Sequence, residues 1–185
     1  MNKFNEALEK YAKYVIQQAR SNLSKDGKGK GSLYKSLSYR IKGSKISFLA
    51  ENYGVFVDQG VKGNDPSRVS PNAKIKGQQA PNSKYRFGSG KSNRTFQEFV
   101  NAMSKWAKQK NIRFREHVTV NGKKKSTGKF KAGNYKSLGY IIASNIYNRG
   151  LKPTMFFTKP FEKGIDKFSD EMIQGLLDDN LKLEE

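Results

Sequence analysis

Leu37-Ser38-Tyr39-Arg40-Ile41-Lys42-Gly43-Ser44-Lys45-Ile46-Ser47-Phe48-Leu49-Ala50 is the stretch on which the class of fold turns. Leu37, Tyr39 and Ile41 alternate with Ser38, Arg40 and Lys42, and beyond Gly43-Ser44 a second alternation sets Ile46, Phe48 and Ala50 against Ser47 and Glu51. A period of two belongs to a strand with one buried face. Glycine at the first central position suits a type II′ turn, whose φ is positive there, so the two runs read as a β-hairpin. What surrounds it is helical. Upstream, Phe4, Leu8, Tyr11, Val15 and Ala19 mark one face of a helix that ends between Ser24 and Gly31. Downstream, Thr95-Phe96-Gln97-Glu98 has the form of a capping box, and Phe96, Phe99, Val100, Met103, Trp106 and Ala107 then trace an apolar stripe to about Asn111. Asn134 caps a third helix, carrying Leu138, Ile141, Ile142 and Ile146, which Gly150 and Pro153 stop. Thr158-Lys159-Pro160 opens a last helix with Phe161, Ile165, Phe168, Met172 and Leu176 on one face, and the first helix is its expected partner.

Between the second and third helices, Ile112, Phe114, Val118 and Val120 alternate with Arg113, Arg115, His117 and Thr119 up to Asn121-Gly122, the strongest short hairpin signal. The return limb carries Lys123, Lys124, Lys125, Lys129 and Lys131 and is too polar to be core. The expected class is therefore α+β, a small antiparallel β-sheet flanked by long helices. Residues 1–185 read as a single domain, with 61–134 a basic insertion of loops, one helix and one projecting β-hairpin.

Charge is strongly uneven. Of a net +20, residues 61–136 carry +16 and residues 137–185 carry −2, with the last 16 residues alone at −5. A chain this basic is expected to meet an acidic partner such as nucleic acid, an anionic membrane or an acidic protein surface. Lys outnumbers Arg 28 to 8, which favours phosphate contact without base reading, because Lys lacks the bidentate fork that recognises guanine edges. Tyr34, Tyr39, Tyr85, Phe87 and Phe130 interleave with the lysines and could stack on bases. Leu, Ile, Val and Phe number 41, only just above the ~20% share typical of disordered, highly charged chains. Residues 61–92 are accordingly read as an arm that orders on a neighbour. No apolar run approaches the length of a signal peptide or a membrane span.

The inventory for chemistry is thin. Cys is absent and His117 is the only histidine, lying beside Glu116 on a basic strand, so thiolate and imidazole metal sites are not expected. Asp58 and Glu51 could form an acid–base pair, although surface pairing with nearby lysines is the plainer reading. Gly27-Lys28-Gly29-Lys30-Gly31 and Gly88-Ser89-Gly90-Lys91-Ser92 lack the spacing of a phosphate loop and read as loops. No cofactor, no metal and no catalytic residue are expected.

Two stretches carry a resemblance. Tyr53-Gly54-Val55-Phe56-Val57-Asp58-Gln59-Gly60, directly after the hairpin, resembles the signature of the head-to-tail joining, tail-completion or neck proteins of tailed bacteriophages. The lead Ser32-Leu33-Tyr34-Lys35-Ser36-Leu37 fits the same order of elements. Gly150-Leu151-Lys152-Pro153-Thr154-Met155-Phe156-Phe157-Thr158-Lys159-Pro160-Phe161 is similar to that family's aromatic-Pro-Phe approach to its final helix. The likeness covers residues 1 to about 60 and 135 to 180. Its signature positions Tyr53, Gly54, Phe56, Val57, Gly60, Pro153, Phe157, Pro160 and Phe161 are expected to be structural, mainly core. The resemblance implies a virion protein, not an enzyme, assembled in the host cytoplasm into a homo-oligomeric ring at the head–tail junction. Its partners would be portal or adaptor and tail proteins and the double-stranded DNA of the channel, with no membrane. Arg113, Arg115, Lys123, Lys124, Lys125, Lys129 and Lys131 are the candidate contacts to DNA or an acidic neighbour, and the acidic last helix and the basic middle are candidate faces of the ring. The alternatives are a DNA-binding accessory protein without sequence preference and, third, a phage-encoded enzyme or toxin.

Overall fold

The computed structural model of the chain describes residues 2–71, 73–90, 95–130 and 134–181, with the backbone alone at 115–117, 124, 126, 128 and 130. The fold is α+β, with α-helices and three separate two-stranded antiparallel sheets among the described residues. It divides into two compact units, residues 1–60 with 153–185, and residues 61–152. The expectation of one domain with an insertion ending at 134 therefore gives way to a second unit that runs to 152. Its third helix belongs there because it packs on the second helix.

The first unit is built on α1 (Lys3–Lys25), α2 (Ser32–Ser36), β1 (Ser38–Lys42), β2 (Lys45–Leu49), α3 (Gly54–Gln59) and α6 (Thr158–Leu181). Along α1, Leu8, Tyr11, Val15 and Ala19 are buried as the periodicity requires, joined by Ala7, Ala12, Ile16 and Leu23. The hairpin pairs Tyr39 with Phe48 and Ile41 with Ile46, so the apolar residues of both limbs share one half-buried face. Gly43 has φ +58, as the type II′ turn demands. Phe48 projects into a ring cluster, its centroid 6.0 Å from Tyr11, 5.2 Å from Phe157 and 6.0 Å from Phe161. Ile16, Ala19, Leu23, Leu33, Leu37 and Phe156 close the core below it.

The α1–α6 pairing foreseen from the sequence is present, but only part of the expected stripe of α6 meets α1. Ile165 and Leu176, read as part of the buried stripe, are 43% and 47% exposed. Contact is made at Phe161 and Phe168 of that stripe and, beside them, at Gly164 and Gly175. A Cβ on Gly164 would stand 2.7 Å from the Tyr11 ring, and one on Gly175 would stand 2.9 Å from the backbone of Lys3 and Phe4. Small residues at the crossing bring the helix axes closer than a leucine seam would allow. At the far end the Asp179 carboxylate accepts the N–H groups of Lys3 and Phe4 at 3.0 and 2.9 Å, capping α1 from another element. Lys3 reaches Asp178 at 2.8 Å, and Lys10 pairs with Glu171.

The second unit holds β3 (Val61–Lys62), a 3₁₀ turn (Pro66–Arg68), α4 (Phe96–Gln109), β4 (Arg115–Val120), β5 (Lys123–Phe130), α5 (Tyr135–Arg149) and β6 (Gly150–Leu151). α4 begins with the expected capping box, Thr95 Oγ1 accepting from the Glu98 N–H while the Glu98 carboxylate accepts from that of Thr95. α4 and α5 pack with Val100, Ala107, Leu138 and Ala143 buried. Segment 61–90 is not the loose arm expected. β3 pairs with β6, and the amides of Asn64 and Gln79 donate to the carbonyls of Tyr147 and Arg149 on α5. Phe87 stacks on Phe99 at 6.0 Å and tilts against Tyr147 at 5.5 Å.

Candidate functional site

The two stretches that carry the resemblance lie almost 100 residues apart in sequence and meet in the first unit. Asp58, at the end of α3 and only 5% exposed, accepts the N–H of Phe157 at 2.8 Å, the N–H of Thr158 at 3.2 Å, and the Thr158 hydroxyl. One carboxylate thus serves the first free donors of α6. Carbonyls of the same turn extend the junction: Val57 accepts from the N–H and hydroxyl of Thr154, and Asp58 accepts from the N–H of Met155. Surface pairing of Asp58 with lysine, the plainer expectation, is overturned, because the carboxylate is buried and committed to backbone donors. Glu51 is exposed and does not share its site.

The residues of the Tyr53–Gly60 turn divide in a way the sequence did not show. Val57 packs on the core, and Gly54 is buried with room for a Cβ only at 3.0 Å from Leu33 Cδ1. Gly60 ends α3 at φ +70, a conformation costly for any other residue. Tyr53 is 43% exposed, yet its hydroxyl bonds Ser32 Oγ at 2.8 Å and the Leu33 N–H at 3.1 Å, fixing α2. Val55 and Phe56 are 45% and 40% exposed rather than core. In the second stretch Pro160 is buried and Pro153, Phe157 and Phe161 are half-buried.

The candidate cationic contacts lie in the second unit, which carries 21 basic residues against Asp65, Glu98 and Glu116, a net +18. Three carboxylates leave most of these cations to find counter-charge elsewhere. The basic hairpin forms with Asn121 and Gly122 both at positive φ, +50 and +72, which is the type I′ turn. Its register sets Lys123 opposite Val120, Lys124 opposite Thr119, and Lys125 opposite Val118. Cross-strand partners share a face, so Lys123 and Lys125 lie on the face of Val118 and Val120. Lys123, Lys125 and Lys129 are exposed, as is Arg113, whose Nε donates to Asn111 at 2.9 Å. Lys131 and the side chains of Arg115, His117, Lys124 and Phe130 lie outside the described residues. Of the proposed base-stacking rings, Phe87 is engaged by Phe99 and Tyr147, and the Arg20 guanidinium stands 5.5 Å over Tyr34.

Sequence reading also missed an open cleft of about 520 Å³ beside α4 and α5, walled by Met103, Trp106, Ile112, Ile142 and Ile146, with Lys74, Asn145 and Arg149 among its polar lining. Trp106, read as part of the α4 core stripe, is 42% exposed there. The Arg149 Nε is buried without a hydrogen-bond partner among the described residues, and burial draws the guanidinium pKa below its ordinary value. A helical period identifies the stripe but not which of its residues remain uncovered, so the cleft had no signal of its own.

No group of His, Asp or Glu side chains suited to a metal occurs among the described residues, and none of their helices is long and apolar enough to cross a membrane. No family model, curated protein or solved structure matches the chain.

Proposed function

We propose that the chain is a structural subunit of the head-to-tail connector of a tailed bacteriophage, one copy of a ring around the DNA channel. The observation that carries this reading is the Asp58 junction: the two resembling stretches form a single hydrogen-bonded unit in which the turn after the hairpin caps the final helix. That gives Tyr53, Gly54, Val57, Asp58 and Gly60 architectural tasks. The +18 of the second unit supports a place beside duplex DNA, whose charge is one per ~1.7 Å of axis and can be held by lysines without base recognition. A ring of identical subunits needs unlike lateral faces that close by rotation.

The same basic unit favours the second reading, a DNA-binding accessory protein without sequence preference. Electron micrographs of the nuclease-treated protein separate the two. The connector reading expects closed rings with an open centre in the absence of DNA, and the accessory reading expects single particles that cluster only on added DNA.

A further inference from the structure

On α6, Ile173, Leu177 and Leu181 are 58%, 53% and 65% exposed. Their spacing of four residues places them on one ridge of the helix. Glu162, Asp166 and Asp170, also exposed, follow the same spacing on that face one to three turns earlier. The helix therefore presents a strip that carries Glu162, Asp166 and Asp170 interspersed with Lys159 and Lys163 in its first half and is apolar in its second. The second unit presents the converse: an apolar cleft walled by Met103, Trp106, Ile142 and Ile146, bordered by Lys74 and Arg149, on a body of net +18.

Resting on the ring reading, we propose that the α6 ridge of one copy seats in the α4–α5 cleft of the next copy, with Ile173, Leu177 and Leu181 in the cleft and Asp166 and Asp170 against its basic border. Anchors at i, i+4 and i+8 on a helix are the usual means of filling an apolar groove. Opposite net charge favours this partner: α6 is −3 over Thr158–Leu181, the same sign as a second α6 and the opposite sign to the second unit at +18. The contact joins unlike surfaces, so it repeats from copy to copy and closes where the rotation allows.

Sedimentation velocity of four samples tests this: the wild type, the variants Leu177→Glu and Trp106→Glu separately, and the two variants mixed in equal amounts. Both positions are solvent-exposed, and a circular dichroism spectrum confirms folding. If either variant misfolds, Ile173→Glu or Lys74→Glu takes its place. The wild type is expected as a closed oligomer and each variant as a monomer. The mixture is expected to give dimers and nothing larger, because one intact ridge and one intact cleft remain in each mixed pair. A variant that keeps the full oligomer overturns the contact while leaving the ring reading in place. Loss of assembly in Leu177→Glu but not in Trp106→Glu assigns the ridge to another surface, and a mixture that stays monomeric likewise overturns the pairing. A monomeric wild type removes the ring reading and this contact with it.

Discussion

Asp58 sits where a charged side chain ordinarily costs folding energy, and it is tolerated because three donors converge on it. Replacing it with alanine leaves the Phe157 and Thr158 amides without a partner at the start of α6. The expected loss is about 3 kcal/mol, since bonds to a charged group contribute ~1.5 to 3 kcal/mol and stranded donors add to the cost. Asp58→Asn keeps one acceptor oxygen and is expected to lose about half as much. Urea unfolding of both variants checks this, and an Asp58→Ala midpoint equal to wild type would show that the junction does not hold the unit together. Tyr11 supplies a pH dependence. Burial among Phe48, Phe161 and Phe168 raises its pKa to about 12 from 10.0. The folded chain thus holds this proton more tightly than the unfolded chain, so the contribution is complete below pH 10 and is lost as pH rises from about 10 to about 12. The loss amounts to about 2 to 3 kcal/mol. Tyr11→Phe is expected to flatten that part of the stability profile, measured by denaturant titration across the same range.

The helices and hairpins were the most legible level, because each is written in local chemistry. The capping box at Thr95 and Glu98, the glycine of the Gly43-Ser44 turn and the Asn121-Gly122 pair all specify backbone states that formed as read. What a period does not specify is which partner a face meets. The α6 stripe of Ile165, Phe168, Met172 and Leu176 has the right spacing for a core face, yet Gly164 and Gly175 lie on the side that allows closest approach, and α1 docks there. The cue was the spacing of glycines rather than of leucines. Gly175→Ala puts a methyl group 2.9 Å from α1 backbone that cannot rotate away. It is expected to cost about 1 to 3 kcal/mol as overpacking, although alanine is the better helix former. A rise in melting temperature for this variant would contradict the α1–α6 register. The Asp58 junction was half legible: both stretches stood out, but a buried carboxylate and a surface one look alike in sequence. The cleft beside Trp106 was not legible, since burial of an aromatic stripe depends on elements far along the chain.

At the scale of the whole molecule, charge separates the two units more sharply than the sequence segments suggested, with +18 on residues 61–152 and +2 on the rest. Binding to duplex DNA is therefore expected to fall steeply with salt. Each phosphate contact contributes about 0.9 to the slope of log affinity against log salt, so Lys123→Gln, Lys124→Gln and Lys125→Gln together should reduce it by about 2 to 3 if all three touch phosphate. Because the register puts Lys123 and Lys125 on one face of the hairpin, contact through that face alone makes the reduction about 2, and contact of all three lysines makes it about 3. Fluorescence anisotropy over a salt series distinguishes these geometries, and an unchanged slope places the tip away from DNA. The connector reading itself is tested most directly by native mass spectrometry of the nuclease-treated protein. It predicts a single closed oligomer of fixed copy number that persists without nucleic acid. A monomer at every concentration, associating only when DNA is restored, would contradict it.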